Sequence, residues 1–214
     1  MLSGQCVISR FPIETNVRHR QPQPADNPFW YNMFYLHRAL QQVEVQVPGM
    51  GLIPMLNVHL EAFDVDNNRI HAQNLLHLMD QFDSPALVVG GDFNALPIGA
   101  QKKVGYEDEP DIDFTGGNTM ELFFEAGRMV DAISSSERAE AHTFPADAPT
   151  RRLDYLTADK RGWRISGEVI HGKTAKLSDH LPIKATLSPI KLAGEGAPPQ
   201  GEGLQGREQG RVGE

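Results

Sequence analysis

Residues Ala86 to Asn94, ALVVGGDFN, constrain this chain more than any other stretch. The run is apolar without alternation until the paired glycines, the pattern of a strand covered on both faces rather than one lying at the water surface. Such a strand delivers Asp92 and Asn94 at its carboxyl end. In an extended chain those two side chains fall on the same side, because strand side chains alternate with period 2.

The flanking sequence reads as further elements. Val43, Val45 and Val47 alternate with Gln42, Glu44 and Gln46, so residues 34–47 predict a half-buried strand. Pro48, Gly49 and Gly51 turn it into a second strand ending in LNVHL, and the two together predict an antiparallel hairpin. A helix capped by Asp66 or Asn67 carries Ala72, Leu75, Leu76, Met79 and Phe82 on one stripe and ends near Asp83. After ALVVGGDFN comes an acidic loop over 99–117, then a short helix starting at Asn118 or Thr119 and closed near Gly127. Short strands are expected at LDYLTA, WRISGEVI and LPIKATL. Upstream, Cys6, Val7, Ile8, Phe11 and Ile13 predict an extended core segment, and 16–32, with Pro22, Pro24 and Pro28, a surface loop.

With 214 residues, 40% hydrophobic and 22% charged, the chain has the composition of one folded domain, not of a disordered one. That domain is expected over residues 1–190. Residues 191–214 are rich in glycine and nearly free of apolar side chains, so they bury too little surface to offset the entropy of ordering and read as a disordered tail. A single cysteine, Cys6, excludes an internal disulfide and a cysteine-rich zinc site. Any metal must then be held by His, Asp, Glu or Asn, which points to a hard cation. No apolar run reaches the roughly 20 residues that span a bilayer, and MLSGQCVISRFPI lacks the basic region and apolar core of a secretory signal. The expectation is a cytoplasmic monomer with no transmembrane segment.

Four short motifs place polar side chains at the ends of these strands: NVHLEAF with His59, GGDFNALP with Asp92 and Asn94, RLDYL with Arg152, Asp154 and Tyr155, and LSDHLPI with Asp179 and His180. Each has a bland reading when taken alone. SDHLP reads equally well as a polar strand-entry turn, Asp154 as a satisfied structural carboxylate, and His59 as a core histidine. Together they are more specific. An acidic residue beside a histidine offers one group to a hard cation and another as a proton carrier or phosphate contact. A carboxylate behind a histidine fixes the ring's tautomer and raises its pKa. Asp92 and Asn94, converging, could orient an attacking water and a phosphoryl oxygen.

In this order, HL, GDFN, RLDY and SDHLP resemble the endonuclease/exonuclease/phosphatase superfamily, which includes deoxyribonuclease I, abasic-site endonucleases, neutral sphingomyelinases and inositol-polyphosphate 5-phosphatases. The resemblance covers roughly Gly4 to Leu187. It implies an α/β fold, a four-layer α/β/β/α sandwich with two sheets face to face and helices outside, and cleavage of phosphoester bonds with Mg²⁺, or Mn²⁺ in its place. Carried over by motif, Asp92 aligns or activates the water, Asn94 holds a phosphate oxygen and Asp154 orients His180. Asp179 belongs to the metal site, and His180 and His59 stabilise charge in the transition state. Arg38, in HRALQ, is either a phosphate contact or a surface arginine.

The sequence also departs from that family. Relatives carry, upstream of a segment similar to VISRFPI, a strand bearing an asparagine and then a metal-binding glutamate. The expectation here is therefore a domain lacking its first strand, first helix and that glutamate, and the rival to an enzyme is a non-catalytic chain that keeps the motifs without the activity. For the substrate, 20 Lys and Arg against 28 Asp and Glu give a formal charge of -8. That is the wrong sign for neutralising many phosphates of a long nucleic acid. A small or lipid-like phosphoester is expected as the partner, with nucleic acid as the alternative, favoured only by the basic stretch Arg18, His19 and Arg20.

Overall fold

The computed structural model describes residues 4–28, 30, 37–134, 141–172 and 177–190. Six strands form one sheet in the order β1 (Ile13–Arg20), β2 (Ala39–Val47), β3 (Gly51–His59), β4 (Val88–Asp92), β6 (Asp154–Asp159) and β5 (Met129–Asp131). A separate ribbon pairs β7 (Trp163–Val169) with β8 (Ile183–Pro189), and the helices are α1 (Val65–Met79) and α2 (Thr119–Glu125).

The unalternating strand sits where its sequence requires. Val89 turns to one side of the sheet, with Leu56, Val58 and Leu60 of the β3 segment and Leu75, Leu78 and Phe123 from the helices. Val88 turns to the other side, against Ile53, Ala158 and Trp163, where Ile165 and Leu187 of the ribbon complete the cluster. Helices, a central sheet and a second sheet therefore stack as layers of an α/β sandwich, and β4 is buried from both sides. Among the described residues, no helix is long and apolar enough to cross a membrane.

Glycine makes this packing feasible. β4 pairs parallel to β3 and antiparallel to β6. Gly91 has φ +133, and a Cβ there would run into the carbonyl oxygen of Val58, while one at Gly90 would meet the Leu156 side chain. The paired glycines let three strands close on one another just before Asp92.

Several expectations hold and several need correcting. The β2–β3 hairpin is antiparallel, with Val43 and Val45 buried and Gln46 exposed. The strands at LDYLTA, WRISGEVI and LPIKATL are β6, β7 and β8, and α2 closes at Gly127, φ +61. The cap of α1 is Asp64, not Asp66 or Asn67: its side chain accepts from the Asn67 backbone N–H. Residues expected as loop from 16 onward belong up to Arg20 to β1. That strand is mostly exposed and carries no apolar alternation, so the free edge of β2 defines it through hydrogen bonding. Conversely, the segment around Cys6 and Ile8 is not core. Cys6 is exposed and Ile8 is 92% exposed, and the segment is tied to the hairpin through polar groups, with the Gln5 amide donating to the Ala39 and Asn57 carbonyls. The tail 191–214 and the strand expectation at 34–36 lie outside the described residues.

Gly91→Ala should destabilise the domain by roughly 2–4 kcal/mol, the sum of a strained backbone and an overpacked strand pair. Denaturant unfolding measures this, and a loss below about 0.5 kcal/mol would show that β3 and β4 do not need the close approach.

Candidate active site

Strand register assembles the site. His59, the last residue of β3, is the direct partner of Asp92, the last residue of β4, and Asp92 is the partner of Asp154, the first residue of β6. One strand further, Ala39 pairs with His59, which brings the adjoining Arg38 alongside. Four neighbouring chain segments thus present Arg38, His59, Asp92 and Asp154 in a row at one end of the sheet. His180 and Asp179 reach the row from the turn ahead of β8. All seven residues given a site role from sequence, Asn94 included, line one cleft of about 690 Å³, and Arg152 and Tyr155 of the RLDYL motif do not.

At its centre, Asp154 Oδ2 lies 2.7 Å from His180 Nδ1. His180 Nε2 lies 4.0 Å from Asp92 Oδ2, and His59 Nε2 lies 3.4 Å from the same oxygen. Asp92 is steadied by Asn94, whose backbone N–H donates to Oδ1 at 2.8 Å and whose amide donates to Oδ2 at 3.2 Å. Asn94 is not in the extended conformation that strict alternation assumes. At φ +47 it turns back, and its amide also donates to the Leu60 carbonyl at 3.1 Å. Both amide hydrogens are thereby engaged, so a phosphate oxygen can gain one only at the expense of Leu60 or Asp92.

Arg38 is 7% exposed, which corrects the surface reading. Its Nη1 meets His59 Nε2, and its Nε is buried without a hydrogen-bond partner among the described residues. Since a guanidinium can only donate, that imidazole nitrogen must accept, and the ring proton belongs on Nδ1.

The charges follow from these contacts. Burial, then Arg38 and His180, depress the His59 pKa to about 4, so the ring is neutral at pH 7. Burial and the charge of Asp154 raise Asp92 to about 7. His180 moves upward: burial works against its charged form, but the hydrogen bond and charge of Asp154, with Asp92 and Asp179 behind them, outweigh it. Among the described residues, Asp92, Asp154 and His180 form a group whose ligand atoms lie within 4.8 Å of one another. Nδ1 of His180 is taken by Asp154, and because a hard cation prefers oxygen to the remaining ring nitrogen, the donors suited to it are carboxylate oxygens, with Asp179 exposed beside them. One or two carboxylates completed by water and phosphate suit Mg²⁺, and the raised Asp92 marks where a positive charge is wanted.

Three further residues build the walls, and of these only Arg152 belonged to a motif singled out from sequence. The Phe144 ring lies 4.7 Å from the His180 ring. Arg151, fully buried, is sandwiched between Phe144 and Tyr106 and reaches Asp108 and Glu109 of the acidic loop, which brings Glu109 to the cleft. Arg152 makes a bidentate, fully buried pair with Asp131 and donates from Nε to the Asp154 carbonyl. Removing one partner of such a pair costs about 3–5 kcal/mol, so this arginine anchors the Asp154 backbone and is not available to substrate. The doublet in RRLDY was the available signal, since two adjacent arginines at the mouth of an apolar strand require partners.

The sequence profile of the Endonuclease/Exonuclease/phosphatase family matches residues 2–180. No curated protein matches the sequence. Among solved structures, the chain is similar to a mannosyl-6-phosphatase from Bacteroides thetaiotaomicron (TM-score 0.58, 16% identity, 83% of this chain and 67% of that one). It is also similar to the beta toxin of Staphylococcus aureus (0.57, 15%, 83% and 65%) and to the catalytic domain of human nocturnin (0.54, 15%, 85% and 60%). The chain thus spans about two thirds of the length of these proteins, and at such identities the likeness is one of fold.

In the metal-free protein the two site histidines should titrate far apart, His59 near pH 4 and His180 above 6.5, as read from ring resonances in NMR. The His180 pKa is raised on folding, so its proton stabilises the fold fully below pH 6.5, and that contribution fades as pH climbs through the folded value. Coincident titrations would contradict the geometry.

Proposed function

The chain belongs to the endonuclease/exonuclease/phosphatase family, and from that premise we propose that it is a Mg²⁺-dependent hydrolase of phosphoester bonds, acting on a small or lipid-like substrate. The observation that carries this reading is the convergence of His59, Asp92, Asn94, Asp154 and His180 on one end of three neighbouring strands and the adjoining turns.

The roles follow from charge and position. Asp92, poised at about 7, can accept the proton of a water attacking phosphorus in line, since a base works best when its pKa lies near the working pH. Asn94 holds that carboxylate in place. His180, kept protonated by Asp154, donates from Nε2 to the oxygen on which charge gathers, and Arg38 adds a fixed cation on the opposite side. His59, neutral and held by Arg38, contributes a hydrogen-bonding ring but no charge. Carboxylate oxygens of Asp154 and Asp179 would hold Mg²⁺, which when bound would supply neutralisation of phosphate charge.

Substrate size and charge are read from the wall. Glu109, clamped by Arg151, faces the cleft, and Asp111 and Asp113 line an adjoining hollow that shares Ala62, Phe63 and Ile112 with it. This acidic rim repels a polyanion and accepts a substrate with few further phosphates.

Hydrolysis of bis-p-nitrophenyl phosphate tests the proposal. The chain should be active with Mg²⁺ and silent with EDTA, and Asp92→Ala and His180→Ala should each lower the rate by about 10²–10⁴. Equal rates in all three proteins would sink the assignment. Supercoiled plasmid at physiological salt should survive largely uncut, and rapid nicking would overturn the substrate class.

A further inference from the structure

Asn68 stands in the first turns of α1, where asparagine is a poor helix former because its amide competes for backbone groups. Here the amide has been recruited. It is 5% exposed and every polar atom is used. Nδ2 donates to the Glu61 carbonyl, to the Phe93 carbonyl at 3.0 Å and, more weakly, to the Asn94 carbonyl at 3.4 Å. Oδ1 accepts the Thr119 hydroxyl at 2.5 Å.

Each carbonyl partner lies within two residues of a site residue, and the hydroxyl partner opens α2, whose Phe123 ring packs on Phe93. Glu61 follows His59 by two positions, Phe93 and Asn94 follow Asp92 directly, and Thr119 begins α2. The Asn94 turn, at φ +47, lies in a region that non-glycine residues rarely occupy. Two contacts with residues outside the turn hold it there: the Asn94 amide on the Leu60 carbonyl, and the Asn68 amide on the carbonyls of both Phe93 and Asn94.

We propose that Asn68 is a positioning residue, whose buried amide fastens the Phe93–Asn94 turn to the end of the His59 strand and so aims Asp92 and Asn94 into the cleft. The inference rests on the reading of Asp92 as the group that receives the water's proton. An asparagine is needed because only an amide offers two hydrogens to carbonyl oxygens and an acceptor to a hydroxyl. A carboxylate of the same shape would set a negative oxygen against three carbonyls.

The test uses the whole chain with bis-p-nitrophenyl phosphate and Mg²⁺, comparing Asn68→Asp and Asn68→Ala with Leu78→Ala, a cavity variant in the core far along the same helix. The Asn68 variants should lose on the order of 10- to 100-fold in kcat with KM within about twofold, the effect of a misaimed group. The Asn94 side-chain amide resonances should shift in the same variants. Leu78→Ala should unfold at lower denaturant yet keep kcat within about twofold and leave those resonances in place. Full kcat in Asn68→Ala, or a kcat loss matched by Leu78→Ala, would overturn the proposal. Should Asn68→Asp fail to fold, Asn68→Ala, which adds no charge, gives the same readouts. A wild-type chain with no turnover at all would instead defeat the phosphoesterase reading, and the Asn94 resonances would still decide the role of Asn68.

Discussion

The site depends on how closely β4 lies between β3 and β6. A strand with side chains on both faces could not lie this close to its neighbours at Gly90 and Gly91, because a Cβ at either position would enter the space of the adjacent strand. Removing those two side chains from the last stretch of the strand draws His59, Asp92 and Asp154 into direct register. Distances between their functional groups then follow from sheet geometry, in which neighbouring strands sit about 4.8 Å apart. Rigid elements hold the row, and the loops only add to it.

Charge in that row is unevenly compensated. Asp154 gives its negative charge to His180, and the Arg38 cation is turned toward a neutral His59. Asp92 is left between them, half-buried, with another carboxylate as its register partner. Its carboxyl rises to about 7 for that reason. A group in this condition takes up a proton readily near neutral pH, which is what the proposed role of water's proton acceptor asks of it. Two adjacent arginines divide the supporting work: Arg152 goes inward to Asp131 beneath Asp154, and Arg151 goes outward to the acidic loop and, through Phe144, to the ring of His180.

Sequence patterning made the central strand legible through its unbroken apolar run, and the β2–β3 hairpin and both helices through the period that a single buried face imposes. It also located Asp92, Asn94, Asp154, Asp179 and His180, whose motifs sit at strand ends. It failed where burial gives no pattern. β1 exposes most of its side chains, so only its hydrogen bonds to β2 define it, and the three-residue β5 is too short to show a period. The apolar residues from Cys6 to Ile13 misled for the opposite reason, since hydrophobicity was present without a partner to cover it. Arg38 stayed open between phosphate contact and surface arginine because its burial comes from three-dimensional neighbours, and Asn68 carries no motif at all: its meaning lies in carbonyls of residues brought together only by folding.

On the proposed function, this row of side chains directs water onto phosphorus. Hydrolysis of a phosphodiester in ¹⁸O-labelled water, followed by mass spectrometry of both products, tests it most directly. The account predicts one ¹⁸O atom in the phosphate-bearing product, none in the released alcohol, and negligible product from Asp92→Asn under the same conditions. Label in the alcohol, or unchanged turnover by Asp92→Asn, would contradict it.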